Sequence, residues 1–166
     1  MKVLNQIKTN VTPKEQALDF LQKHKSGVLA TVSADTSPHA SVIYYSAHPD
    51  FSLTFLTKNR TRKSNNLASN NQAMFVVYDE ASQTMVQITG LVSEIKSEEE
   101  THGIFMNSLR SSLHASNSSV PPISKLDAGE YVAYRINPTE VTWSAYKRRG
   151  SAHNGRVNEK IHIPEL

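Results

Sequence analysis

GVLATVSADTSPHASVIYYSAHPDFSLTFLT, residues 27–57, decides the fold. Val28, Ala30, Val32 and Ala34 alternate with Leu29, Thr31 and Ser33, and a period of two is the mark of a strand with two unlike faces. Asp35-Thr36-Ser37-Pro38 supplies turn chemistry, and a second run over residues 39–45 completes a hairpin. A further turn at Ala47-His48-Pro49-Asp50 leads into a third strand, with Phe51, Leu53 and Phe55 on one face, that ends at Thr57. Three short strands joined by tight turns call for an antiparallel sheet, because parallel neighbours need long crossovers.

The flanking chain fits the same plan. Thr12-Pro13-Lys14-Glu15 opens a helix, with Thr12 as N-cap, Pro13 at the first position and Glu15 completing a capping box, and the helix runs to about His24. Downstream, residues 64–70 read as a short helix, 73–78 as a strand and 84–95 as a longer strand in which Gly90 predicts a bulge or sharp bend. Ser97-Glu98-Glu99-Glu100 predicts a second capping box, opening a helix with Phe105, Leu109 and Leu113 spaced along one buried side. Residues 114–129 form a polar loop rich in Ser and Pro; 131–136 and 141–146 are two last strands joined by a turn at Asn137-Pro138-Thr139-Glu140. The expected fold class is mainly β (α+β): a closed six-stranded antiparallel barrel with peripheral helices. One domain spans 1–146, and 147–166 reads as a polar, exposed tail.

Composition narrows the function. The 166 residues contain no cysteine, which excludes disulfides, zinc–thiolate sites and cysteine nucleophiles. The first ten residues do not resemble a signal peptide and no run of 18 apolar residues occurs, so a cytoplasmic protein with no membrane partner is expected. A net charge of +3 suits an anionic ligand but is too small and scattered for a nucleic-acid surface. Nucleotide-binding glycine motifs and the nucleophile-elbow motif are missing from the sequence. The seven histidines, at 24, 39, 48, 102, 114, 153 and 162, lack ligand spacing, so no metal site is expected and each reads as a surface or partly satisfied residue.

One stretch does carry chemistry. Directly after Thr57 come Lys58, Arg60, Arg62 and Lys63, then the short helix. A helix start presents unpaired N–H groups and the positive end of the helix dipole, and Arg and Lys beside it add charge-assisted donors; together they make a seat for a phosphate. Thr57 and Thr61 could add hydroxyls, and a solvated surface loop is the alternative reading of the same cations. A phosphate seat with little acid–base machinery suggests that a bound cofactor supplies the chemistry.

Residues 14–95 resemble the flavin-binding split barrel of the pyridoxamine 5′-phosphate oxidase superfamily, through Gly27-Val-Leu-Ala-Thr-Val32, Pro38-His-Ala-Ser-Val-Ile-Tyr-Tyr45, Phe55-Leu-Thr57, Arg62-Lys63 with Asn66-Leu67, and Val86-Gln-Ile-Thr-Gly90. The resemblance implies FMN in the interface of a homodimer. Its phosphate would lie at Arg62 and Lys63 beside Leu56 and Thr57, and its ring along Ser41, Val42, Ile43, Tyr44 and Ser46. Tyr44 and Tyr45 point to opposite faces, so at most one meets the ring; Gln87 could bond the ring's polar edge. Trp143 could cover the ring across the interface, with an ordinary core role as the alternative.

Departures from the oxidase are equally specific. Ser41 and Ser46 stand where it has arginine and lysine, Met85 replaces a glutamine, and residues 147–166 lack its C-terminal arginine and histidine motif. Vitamin B6 oxidation is therefore not expected, and the pattern is closer to the smaller general-stress-type relatives. The expected activity is flavin-dependent oxidoreduction with a small-molecule electron donor or acceptor of unspecified identity and no assigned catalytic side chain. The rival readings are deazaflavin or haem in the same cleft, and a non-catalytic flavin-binding or sensing protein.

Overall fold

Thr12 starts the first element as its sequence predicts. Its hydroxyl accepts from the Glu15 N–H at 3.2 Å while the Glu15 carboxylate accepts from the Thr12 N–H at 2.7 Å, so both halves of the capping box close over α1 (Pro13–Lys23). A computed structural model describes residues 11–113, 131–146 and 156–162. After α1 come β1 (Ser26–Val32), β2 (Pro38–Ala47), β3 (Leu53–Lys58), α2 (Arg62–Ser69), β4 (Gln72–Asp79), β5 (Thr84–Ile95), α3 (Glu98–Leu113), β6 (Tyr131–Tyr146) and β7 (Arg156–Ile161).

The strands run in the order β3-β2-β1-β4-β5-β6-β7, all antiparallel, and β3 also pairs with β6 along Leu53–Lys58. That extra pairing closes a six-stranded barrel and removes its edges; β7 lies outside the circuit on the second half of β6. Inward residues fill the barrel, with Phe51, Phe55, Phe75 and Ile88 among those almost wholly buried. Burial of each such side chain contributes about 1.5–3 kcal/mol, so the aromatic and aliphatic inner face holds the sheet closed.

Helices seal both mouths. At one, buried Ala17 and Leu21 of α1 face the barrel, and the Tyr45 hydroxyl donates to the Leu21 carbonyl at 2.8 Å. At the other, Asn66 of α2 donates to the Thr31 hydroxyl at 3.0 Å, with both residues buried.

Three expectations need correction. The stretch Asn137-Pro138-Thr139-Glu140 is not a turn: β6 runs unbroken through it, and its pairing with β5 shifts between Thr89 and Gly90, which oppose Glu140 and Pro138. Proline is tolerated there because a bulge frees it from donating to the ladder. Gly90 marks that bulge as predicted, since a Cβ on it would collide with the Asn137 carbonyl oxygen. Within the stretch read as a polar tail, Arg156–Ile161 form β7, whose pairing to β6 the lack of apolar alternation concealed. The Ser97 capping box is half formed: Ser97 Oγ accepts from the Glu100 N–H at 3.2 Å, but the Glu100 carboxylate sits on Arg135 at 2.7 Å instead. The loop 114–129 and the side chains of Leu109 and Leu113 lie outside the described residues.

Candidate functional site

β3 buries Leu53, Phe55 and Thr57 in succession on its inner face, then turns through Asn59 and Arg60. Arg60 takes φ 58, a left-handed conformation that lets the chain double back, and the Asn59 side chain accepts from its N–H at 2.8 Å. Thr61 is the N-cap of α2, accepting from the Ser64 N–H at 3.3 Å. α2 therefore begins two residues earlier than residues 64–70 suggest, which puts Arg62 and Lys63 at its first two positions. The Asn65 N–H is taken by the Thr61 carbonyl, whereas the N–H groups of Arg62 and Lys63 come before any intrahelical acceptor.

Lys63 is half-buried and its Nζ donates to Thr57 Oγ1 at 3.2 Å. Thr57 Oγ1 also lies 3.4 Å from Thr61 Oγ1, so the strand end, the cap and the cation form one group. Partial burial pulls the Lys63 pKa below its ordinary value. Among the described residues no carboxylate lies within ion-pair distance of Lys63 or Arg62, and the first turn of α2 has no acidic residue. A partly desolvated cation, a free helix start and no counter-charge are the conditions an anion relieves. Arg62 is exposed beside them. On donor chemistry, these residues fit a phosphate monoester.

The remaining predicted residues fall into separate places. Along β2, Val42 and Tyr44 face outward, 67% and 46% exposed, and Ser46 shares their phase. Ile43 points into the core, leaving only its backbone to a ligand, and Tyr45 is core as well. Ser41 faces inward too, and its hydroxyl is buried with no partner among the described residues. Leu56 is partly exposed on the outer face of β3. Gln87 projects outward from β5 beside Val76 and Thr142. In barrel order β5 stands three strands from β2 in either direction, so Gln87 and Tyr44 of one chain cannot flank one ring.

Trp143 is 8% exposed and faces inward opposite Val86, which is the core role the sequence left open. Its remaining surface lines a cavity of about 1020 Å³ that also meets Phe20, His24 and Asp79. Sequence reasoning missed His39: its Nδ1 is buried without a partner among the described residues, and the signal was its odd-numbered phase with Ser41 and Ile43. Among the described residues no group of metal-binding side chains assembles, and no helix is long and apolar enough to cross a membrane.

Comparison with known proteins follows the same geometry. The sequence pattern of the family described as "Pyridoxamine 5'-phosphate oxidase" matches residues 13–144. A putative pyridoxamine 5′-phosphate oxidase from Listeria innocua superposes with a TM-score of 0.63 at 21% identity, covering 77% of this chain and 94% of that one. A pyridoxamine 5′-phosphate oxidase-related, FMN binding protein from Nostoc punctiforme gives 0.59 at 13%, covering 92% and 98%. A heme binding protein from Mycobacterium smegmatis gives 0.64 at 14%, covering 89% and 57%. No functionally curated protein matches the chain.

Proposed function

Because the chain belongs to the pyridoxamine 5′-phosphate oxidase family, we propose that it is a homodimeric FMN-binding protein acting as a flavin-dependent oxidoreductase. The observation that carries this reading is Lys63: half-buried, bonded among the described residues only to neutral Thr57, at a helix start free of acidic residues. A phosphate there gains charge-assisted hydrogen bonds from Lys63, a planar fork from Arg62 and backbone N–H donors from the first turn of α2. Thr57 aims the ammonium and is itself held by burial. The flavin, when bound, supplies the hydride or electron transfer.

The barrel's outer face suits the rest of the reading. Val42 pairs with Val28 and Val28 with Val76, giving a cross-strand apolar row beside exposed Tyr44, Met74 and Tyr78. Contiguous exposed apolar area marks an interaction surface, and a second copy that brings its Gln87 to the first chain's Tyr44 solves the separation of those residues. The haem-binding relative keeps a second ligand class in view for the same barrel. No side chain on the outer face is assigned as an acid or base, in keeping with substrate transfer at the flavin itself.

The test is a titration with FMN of the purified protein and of a double variant, Arg62→Ala with Lys63→Ala. Bound FMN should absorb near ~375 and ~450 nm, as the free cofactor does, and the double variant should lose several kcal/mol of affinity, at about 1.5–3 kcal/mol per charged contact. Unchanged affinity in the double variant refutes the phosphate seat; a Soret band in the purified protein points to haem.

A further inference from the structure

Among the described residues, His39 Nδ1 and Ser41 Oγ are the buried side-chain atoms without a hydrogen-bond partner. Buried polar atoms in folded proteins are almost always paired, so each calls for a partner that the described residues do not supply. Both lie on β2 in the phase that carries Ile43 and Tyr45 into the barrel.

The path of α2 places them. β2 lies between β3 and β1 in the sheet. α2 leaves the end of β3 with Lys63 on Thr57, and reaches β1 where Asn66 meets Thr31, whose register partner on β2 is His39. The helix thus crosses the strand that carries both orphans. Pairing of β2 with β3 ends at Tyr45 and Phe55, so the two strands part beneath that helix. The nearby Thr31 hydroxyl is already engaged: it accepts from Asn66 and donates to the His39 carbonyl at 3.4 Å.

We propose that His39 is a phosphate-binding residue whose Nδ1–H, with the Ser41 hydroxyl beside it, donates to the flavin phosphate from the strand side while Lys63 and Arg62 hold it from the helix side. The proposal rests on the FMN reading above. Both the Nδ1–H tautomer and the imidazolium present this donor, so no particular charge on His39 is required. The consequence is a preference for phosphorylated over unphosphorylated flavin that depends on position 39.

FMN and riboflavin differ only in the phosphate, so the ratio of their affinities reads this contact directly. His39→Leu should lower that ratio roughly ten- to hundredfold, the worth of one hydrogen bond to a charged group, and leave riboflavin binding intact. His39→Asn, whose amide reaches the Nδ1 position, should restore the ratio, and His39→Gln, whose amide falls at Nε2, should not. An unchanged ratio in His39→Leu overturns the proposal, as does equal loss of both ligands, which marks a purely structural residue. If His39→Leu does not fold, Ser41→Ala decides by the same ratio: a fall supports the shared strand-side contact and no change overturns it. Wild-type protein with no preference for FMN over riboflavin overturns the FMN reading itself, whereas a strong preference indifferent to His39 overturns only this inference.

Discussion

Replacing Lys63 with methionine should move stability and cofactor affinity in opposite directions. In the free protein the ammonium is half-buried, has one neutral partner at 3.2 Å and has no carboxylate within ion-pair reach among the described residues. Methionine keeps the unbranched stem and removes the desolvated charge, so the free protein should be unchanged or more stable by up to about 1 kcal/mol. The sign with pH is fixed by the lowered pKa of Lys63: the unfolded chain holds the proton more tightly, so wild-type stability rises as pH climbs toward the ordinary lysine value of 10.5. Any advantage of Lys63→Met is therefore fully present at neutral pH and fades in alkali. FMN affinity should fall by about 1.5–3 kcal/mol, roughly 10- to 150-fold. Urea unfolding of the free protein and quenching of FMN fluorescence measure the two effects. A variant destabilised by more than about 1 kcal/mol that binds FMN as well as wild type would refute the reasoning, because Lys63 would then be a structural cation.

Other consequences follow from the same packing. Gly90→Ala drives a methyl group into the Asn137 backbone, so unfolding by denaturant should show a loss of about 2–3 kcal/mol; a neutral result would mean the bulge is not fixed. His48 is held below its ordinary pKa of 6.5 by burial and by the neighbouring Arg135, against the opposing pull of Asp50 and Glu100. Its Nε2 lies 3.0 Å from Thr54 Oγ1 and Arg135 bridges Ser52 to Glu100. The unfolded state takes up the His48 proton first as pH drops below 6.5, so wild type should lose stability there, and His48→Gln should flatten that slope in thermal unfolding between pH 7 and 5.5. For the proposed homodimer, Val42→Lys puts a charge in the exposed apolar row and should shift sedimentation from dimer to monomer; a dimer that survives it would move the interface elsewhere.

Much of this was legible from residue order. The Thr12 capping box, the hairpin of β1 and β2, the bounds of β5 and the bulge at Gly90 each depend on local chemistry, and each formed where that chemistry put it. Asn137-Pro138 misled because the same residues that favour a turn also suit a bulge, and only the neighbouring strand decides between them. β7 stayed hidden because an edge strand outside the barrel needs little apolar alternation, and Ile161 is its one described buried residue. At the site, the basic turn and the family resemblance singled out Arg62, Lys63 and Thr57, and the structure brings Lys63 and Thr57 into contact. What spacing could not give was the separation of Gln87 from Tyr44, since it depends on how β2 and β5 are set around the closed barrel. Glu100 shows the same limit: a local cap lost its carboxylate to Arg135, 35 residues away in sequence.

The most direct measurement is the position of the phosphorus atom in the protein loaded with FMN, by crystallography of the complex. The account predicts a phosphate within hydrogen-bond reach of Lys63 Nζ and the first-turn N–H groups of α2, in the space between the end of β3 and that helix. A well-ordered phosphate anywhere else, or crystals that stay colourless in excess FMN, would contradict it.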